Sequence, residues 1–435
     1  MSLTTRADPE APTQDDAPAE RIGTFASLRL PPFRLLLAGT TLSNAAQWIQ
    51  QVTLGWLVYE LTGSGAILGS LNVVRAIATL GLAPVAGAAI DRLPPRLLMV
   101  ITNGWLLTIS LVLGLAVLPG HTELWWLFLF TFFGGVGQAI DLPLRQTIVF
   151  TLVPRAYAPN ALALVQTGWA VMRSLGPAIG GVLILWFGPG GNFLVQASAY
   201  ALIMLTIPGL RFPKRVAPAG PRPAIWRTIG DGLRYIAKEP TTRAFVLMGW
   251  VLPLFIIPIY VALSPIYAKT VFSGGPEVLG LLLSSVGIGG IAGGIVTASL
   301  GRYERRGLVQ LGSLLLLGLS LVGVGLSPDL WLALPMLALS GFFELIFLST
   351  NQVLLQLSIP DALRGRVMGI VTLNSGLLPI GAVIAGVGAD LIGPRTVTIA
   401  MAGIAAAIAI GVFVFSPRIR DYRLGSAIAA STAER

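Results

Sequence analysis

Four charged side chains fall inside stretches otherwise suited to hydrocarbon: Arg75, Asp141, Arg173 and Glu344. Each costs about 2.5–3.5 kcal/mol at the centre of a membrane helix and less near its ends, so such residues are kept for pairing, binding or proton traffic. Glu344 stands among Phe342, Phe343, Ile346 and Phe347. Loss of water penalises its charged form, which makes it a proton-exchange candidate; a permanent arginine partner and contact with a cationic ligand are the other readings. Asp141 precedes Arg145 by one helical turn. That spacing suits an i,i+4 ion pair, although Pro143 disturbs the register between them. If Arg145 instead joins Asp91 in a nearby loop, Asp141 becomes a second titrating candidate. Arg75 and Arg173 keep their protons under ordinary conditions. They can neutralise a carboxylate or hold an anionic group of a ligand, but they cannot shuttle a proton.

Neutral polar groups extend this surface. Asn44, Gln47 and Gln51 share one helical face with Trp48 beside them, and Gln138, Asn351 and Asn374 are weaker candidates of the same kind. Such groups either meet a ligand or tie helices together at about 0.6–2 kcal/mol per hydrogen bond. A later run offers Trp250, Phe255, Tyr260 and Tyr267, with no charge before Lys269. As a cavity wall it suits a bulky amphipathic solute better than a sugar, which needs many polar partners. Other chemistry is poorly supplied. The chain has no cysteine and a single histidine, His121, so thiolate catalysis, disulfides and soft metal sites have no residues to work with. No Gly-x4-Gly-Lys-[Ser/Thr] phosphate loop appears. No metal, cofactor or nucleotide is implied, and an enzyme is disfavoured.

The elements that must position these residues are membrane helices. With 54% hydrophobic and 11% charged residues over 435 positions, and a mean hydropathy of +0.80, the composition does not describe a water-facing surface. Twelve apolar spans are expected near 35–60, 64–90, 97–118, 123–150, 160–186, 192–210, 244–271, 276–300, 308–326, 330–357, 366–390 and 394–415. Of the 29 basic residues, about 25 collect on one side, Lys269 and Arg395 face the other, and Arg75 and Arg173 stand well inside their helices, so the first side is cytosolic and holds both termini. The formal charge of +10 then reflects topology and contact with anionic membrane lipid, not nucleic-acid binding. Residues 1–30 and 417–435 read as cytosolic tails, 31–210 and 244–416 as two six-helix bundles, and 211–243 as a linker. Its Pro-rich start turns amphipathic, with Ile225, Ile229, Leu233 and Ile236 at helical spacing, so a short surface helix is expected there.

The two sets of six spans repeat. Gly69 corresponds to Gly280, Gln146 to Gln352 and Pro154 to Pro360, at offsets of about 206 to 211 residues. A parallel six-helix repeat marks a secondary transporter with its substrate site between the halves. The costly residues break the repeat: Arg75 falls opposite Val286, Gln138 opposite Glu344, Asp141 opposite Phe347, and Arg173 opposite Pro379. Asn44, Gln47 and Gln51 fall opposite Leu254, Ile257 and Val261.

After the second span comes Gly87-x3-Asp91-Arg92, then Arg96. Gly87 permits close helix approach, and Asp91 can sit at a neighbouring helix N-terminus or pair with an arginine such as Arg145, giving a two-state switch. Here the chain resembles the major facilitator superfamily, whose corresponding loop reads Gly-x3-Asp-Arg-x-Gly-Arg-Arg; Pro94 and Pro95 depart from it, and Gly301-Arg302-Tyr303-Glu304-Arg305-Arg306 is a degenerate second copy. The runs Pro143-Leu144-Arg145-Gln146, Leu152 to Arg155, Arg173 to Gly181 and Pro360 to Gly369 are similar to the branch containing the enterobactin exporter and macrolide efflux pumps. Gly176-Pro177-x2-Gly180-Gly181 resembles the end of the fifth-helix antiporter motif, with Met172 where a glycine is expected. The resemblance covers about 33–415. It implies an all-α integral membrane protein of twelve transmembrane helices in two pseudo-symmetric six-helix bundles, acting as a monomeric transporter of the bacterial inner membrane. It further implies export of lipophilic drugs or siderophore-like metabolites by alternating access with proton antiport. A metabolite importer or uniporter of the same fold, and a non-transporting membrane receptor or assembly factor, are the alternatives.

Overall fold

The computed structural model describes residues 25–120, 122–210, 212, 225–299 and 304–422. His121, Arg211, the Pro-rich part of the linker, Gly301 to Tyr303, and tail residues 1–24 and 423–435 lie outside the described residues.

Hydrocarbon offers no water to an open backbone, so an apolar chain of this length closes its hydrogen bonds within helices. The first half comprises α1 (Pro31–Thr62), α2 (Gly65–Arg92), α3 (Pro95–Val117), α4 (Leu124–Leu152) and α5 (Ala158–Thr206). At 49 residues, α5 is too long for one crossing at about 1.5 Å per residue. Gly188, at φ 68° and ψ 175°, breaks it into two passes, and Pro189 follows directly. The second half begins with the short α6 (Ile225–Lys238) and α7 (Pro240–Val271), followed by α8 (Pro276–Ser299), α9 (Arg306–Leu326) and α10 (Leu330–Leu357). It is completed by α11 (Asp361–Thr372), α12 (Leu378–Ile392) and α13 (Pro394–Phe415).

Nine helices among the described residues are long and apolar enough to cross a membrane. The double pass of α5 adds one crossing, and α11 with α12 makes another in two pieces around the turn Leu373–Leu377. The 32-residue α1 is long enough, but Asn44, Gln47, Gln50 and Gln51 dilute its hydropathy. Together these form the two six-pass halves. In α7, Pro253, Pro258 and Pro265 each remove a backbone donor, and the helix widens into π-type turns at Leu252–Ile256, Ile259–Leu263 and Tyr267–Val271.

The extensive packing between halves is confined to α2 against α12 and α5 against α8. Both seams are glycine-lined. A Cβ on Gly65 would lie 2.6 Å from the Gly386 carbonyl oxygen, and one on Gly69 would lie 2.5 Å from that of Ala382. On the other seam, a Cβ on Gly181 would meet the Pro276 carbonyl oxygen at 2.5 Å and one on Gly280 that of Pro177 at 2.9 Å. At the end of the α2 seam, Asp390 of α12 caps the N-terminus of α2. Its Oδ1 accepts from the Gly65 amide at 2.7 Å, and its Oδ2 accepts from the Ala66 amide at 2.9 Å and the Ser64 hydroxyl at 2.8 Å.

The opposite end of α2 behaves differently. Gly87 was expected at a close helix approach, yet a Cβ there would meet nothing within 4 Å, and Asp91, Arg92 and Arg96 are exposed. The halves are therefore drawn together at the rim that holds Asp390, whereas at the other end of α2 the approach Gly87 would permit is not made in this state. Against the same Asp91 rim, α6 lies on the second half: Gly232 packs on Arg366 and Ile370, and the Tyr235 hydroxyl donates to the Ser358 carbonyl at 3.1 Å.

Filling the Gly69 contact should open the Asp390 rim. Overpacking of this kind costs about 1–3 kcal/mol, enough to shift a two-state ratio by about 5- to 150-fold. Since the chain lacks cysteine, spin labels at introduced cysteines Glu60→Cys and Leu391→Cys report that rim directly. Gly69→Val is expected to add a longer-distance population; an unchanged distribution contradicts the seam's role.

Candidate functional site

Arg173 and Glu344 lie 171 residues apart in sequence and meet between the halves. Arg173 Nη2 donates to Glu344 Oε1 at 2.7 Å and Oε2 at 2.8 Å, so both carboxylate oxygens are engaged by one guanidinium nitrogen. Local packing explains the aim of each side chain. Around Arg173, the backbone of Ser174 is abutted by Gly287 of α8, and Gly176 is pressed against Trp48 of α1. Trp169, one turn earlier, places its ring 5.6 Å from the guanidinium carbon, a cation–π contact. On α10, Gly341 packs against the backbone at Val286, and Ser340 accepts a hydrogen bond from the Tyr260 hydroxyl at 2.9 Å. These contacts hold the turn that carries Glu344.

The pair forms part of the wall of a cavity of about 290 Å³. The two halves line it unequally. From the first half come Trp48, Gln51, Asn72, Arg75, Trp169 and Arg173, all polar or aromatic. From the second come Ile257, Val261, Leu283, Val286, Leu348 and Leu378, with Tyr260 and Glu344 as the polar members. Arg75 is half-buried and has no hydrogen-bond or ion-pair partner among the described residues. Arg75 and Val286, opposite each other in the sequence repeat, both reach this cavity.

The structure thus brings together Trp48, Gln51, Arg75, Arg173 and Glu344 from the sequence candidates. Others lie elsewhere. Asn44 is buried and Gln47 and Gln138 are half-buried, all off the cavity lining. Asn351 accepts from Gln310 Nε2 at 2.6 Å, tying α10 to α9, and Asn374 accepts from Trp250 Nε1 at 2.8 Å. Of the four aromatics proposed on α7, Tyr260 alone lines the cavity.

Asp141 and Arg145 adopt the i,i+4 arrangement despite Pro143. Arg145 Nε donates to Asp141 Oδ2 at 2.8 Å, Ser43 Oγ donates to the same oxygen at 3.0 Å, and Arg145 Nη2 donates to Asn103 Oδ1 at 3.0 Å. With exposures of 1% and 5%, the two are sealed in the core of the first half. Arg145 is engaged there and not with Asp91, which differs from the loop-switch reading of this arginine. The glycine motif of α5 is used for packing on both sides: Gly176 and Gly180 abut Trp48 and Ile49 of α1, while Pro177 and Gly181 abut Gly280 and Pro276 of α8.

Sequence reasoning passed over Asn72, Trp169 and Asp390. The first two carried a signal, since Asn72 precedes Arg75 by three residues and Trp169 precedes Arg173 by four, which places each on the same helical face as its arginine. Asp390 carried none, because its partners are chiefly backbone amides of a distant helix.

A family model described as transmembrane secretion effector matches residues 22–428. The chain is 28% identical over 412 residues to the multidrug efflux pump Tap of Mycolicibacterium fortuitum, covering 91% of this chain and 98% of that protein. It is 26% identical over 355 residues to the staphyloferrin A transporter of Staphylococcus aureus, covering 80% and 86%. Among solved structures, a bacterial homologue of the human lysosomal transporter Spinster aligns with a TM-score of 0.70 at 15% identity, covering 90% of this chain and 98% of that one, a likeness of fold.

Removing one member of a buried ion pair strands the other at a cost of about 3–5 kcal/mol. Asp141→Asn and Arg145→Met should each lower the unfolding midpoint in detergent, and the double variant should recover part of the loss. Strictly additive losses contradict a coupled pair.

Proposed function

Given that the chain belongs to the transmembrane secretion effector family of the major facilitator superfamily, and is an efflux transporter and not an enzyme, we propose that it exports lipophilic drugs or siderophore-like metabolites from the cytosol in exchange for protons. The observation that carries this reading is the Arg173–Glu344 pair, which joins the two halves at the wall of a cavity beside their sealed rim. Its relatives' names, multidrug efflux and staphyloferrin A transport, supply the substrate classes.

The mechanism follows from charge. Basic residues Arg92, Arg96, Arg243, Arg305, Arg306 and Arg366 collect toward the Asp91 rim, and Lys269 and Arg395 lie toward the other. By the positive-inside rule the Asp91 rim faces the cytosol and the sealed Asp390 rim faces outward. A cytosolic solute enters the cavity from the membrane-inner side while Glu344 is ionised and held by Arg173. Rocking of the halves then exposes the cavity outward. A proton arriving at Glu344 removes its charge, dissolves the ion pair and weakens the hold of one half on the other. The protonated carrier returns, and the proton leaves to the cytosol as the pair re-forms. One charge moving down 100 mV supplies about 2.3 kcal/mol, roughly a fifty-fold concentration gradient per proton. Arg173 never supplies the proton; it sets the difference between the two states of Glu344.

In the other conformation, the Asp390 cap and the glycine contacts of the outer rim must part. The exposed Gly87–Asp91–Arg92 end of α2 then has the chance to close against the second half, which is the role the sequence motif suggested. The protein sits in the bacterial inner membrane, works as a monomer and needs no cofactor.

In cells overproducing the protein, a panel of toxic lipophilic compounds and siderophores should reveal at least one that is retained less, with retention restored by a protonophore. Glu344→Gln should raise retention to the protonophore-treated level while substrate-for-substrate exchange in proteoliposomes persists. Uptake that continues without a gradient, or unchanged retention across the panel, contradicts proton-coupled export.

A further inference from the structure

The cavity is lined by two arginines and one glutamate, and the glutamate is spent. Both Glu344 oxygens accept from Arg173, at 2.7 and 2.8 Å. Arg75 is left half-buried at membrane depth with no hydrogen-bond or ion-pair partner among the described residues. A lone cation in this position is expensive, and a low-dielectric wall strengthens whatever charge comes to meet it. One turn before it, Asn72 lines the same cavity. The second half lines the cavity with Leu283, Val286 and Leu348, and its two polar members, Tyr260 and Glu344, are already bonded to Ser340 and Arg173.

Resting on the transport reading above, we infer that Arg75, with Asn72 beside it, is the receiving subsite for a carboxylate on the transported molecule, whose apolar body lies against the second half. A guanidinium presents a fork of donors that a carboxylate fills with two parallel hydrogen bonds, a match that neither an ester nor an amide reproduces. A cationic amphiphile is repelled at the same place. The cavity of about 290 Å³ suits a ligand of one acidic head and one compact apolar body. The sequence repeat gives the asymmetry its origin: the position that carries Arg75 in the first half carries Val286 in the second, and the two face the same space.

Binding tests this without transport. Trp48 and Trp169 line the cavity, so quenching of tryptophan fluorescence in purified protein reports occupancy. The probes are 4-phenylbutyrate and 1-naphthaleneacetate, each with the amide and amine of the same skeleton. Each carboxylate is expected to bind about tenfold or more tightly than its amide, the amines more weakly still. Arg75→Gln should abolish the preference for carboxylate while amide binding persists, which also shows that the variant is folded; Arg75→Lys should restore part of it. Carboxylate binding no tighter than amide binding overturns the inference. So does a preference that survives in Arg75→Gln, the result expected if Arg75 served only as an alternative partner for Glu344. A carboxylate preference in a protein that moves no solute would sink the export reading and leave this subsite standing.

Discussion

A charge held at membrane depth is costly in hydrocarbon, and the chain neutralises its two intramembrane carboxylates in two different ways. Within the first half, Asp141 and Arg145 neutralise each other one helical turn apart, with Ser43 and Asn103 satisfying further lone pairs and donors. That arrangement is local, sealed and indifferent to how the halves sit. Arg173 and Glu344 neutralise each other across the halves, and so their pairing depends on how the halves meet. The same chemistry thus lies within one half in one place and between the two halves in the other. The difference lies in whether one rigid body or two supply the partners.

Much of the remaining architecture serves the second pair. Gly176 and Gly287 allow α1 and α8 to press against the α5 backbone beside Arg173, which a side chain at either position would prevent. The wide turns of α7 bring Tyr260 within hydrogen-bonding distance of Ser340, one turn from Glu344. α2 has opposite ends with opposite conditions: its Gly65 end is locked by Asp390 and by carbonyl contacts, and its Gly87 end is open. A cavity closed at one rim, with a cross-half charge pair in its wall, is what a two-state carrier requires of its resting geometry.

The all-helical membrane fold and the four intramembrane charges were legible in the sequence because each rests on hydropathy or the cost of a charge in hydrocarbon. The choice of partners was not. Asp141 had Arg145 at i+4 and Asp91 as a rival claimant, and only the closed core of α1, α3 and α4 decides between them. Arg173 and Glu344 lie 171 residues apart, so no local spacing joins them. Asn351 and Asn374 read as cavity candidates, but whether an amide faces a ligand or a neighbouring helix is set by helix rotation, and they bond Gln310 and Trp250. Asp390 was not singled out in the sequence; its meaning comes from the α2 N-terminus packed beside it. Gly87 shows the converse, a legible motif whose expected close approach is not made here.

Proton coupling as proposed above requires that protonation of Glu344 change how strongly the two halves are held together. Spin labels on introduced cysteines at Arg96 and Val353, exposed positions toward the Asp91 rim on opposite halves, measure that separation by pulsed electron resonance without any substrate. Lowering the pH is expected to move the wild-type distance distribution toward the one that Glu344→Gln shows at every pH. A wild-type distribution indifferent to pH, or a Glu344→Gln variant that keeps the wild-type response, would contradict it.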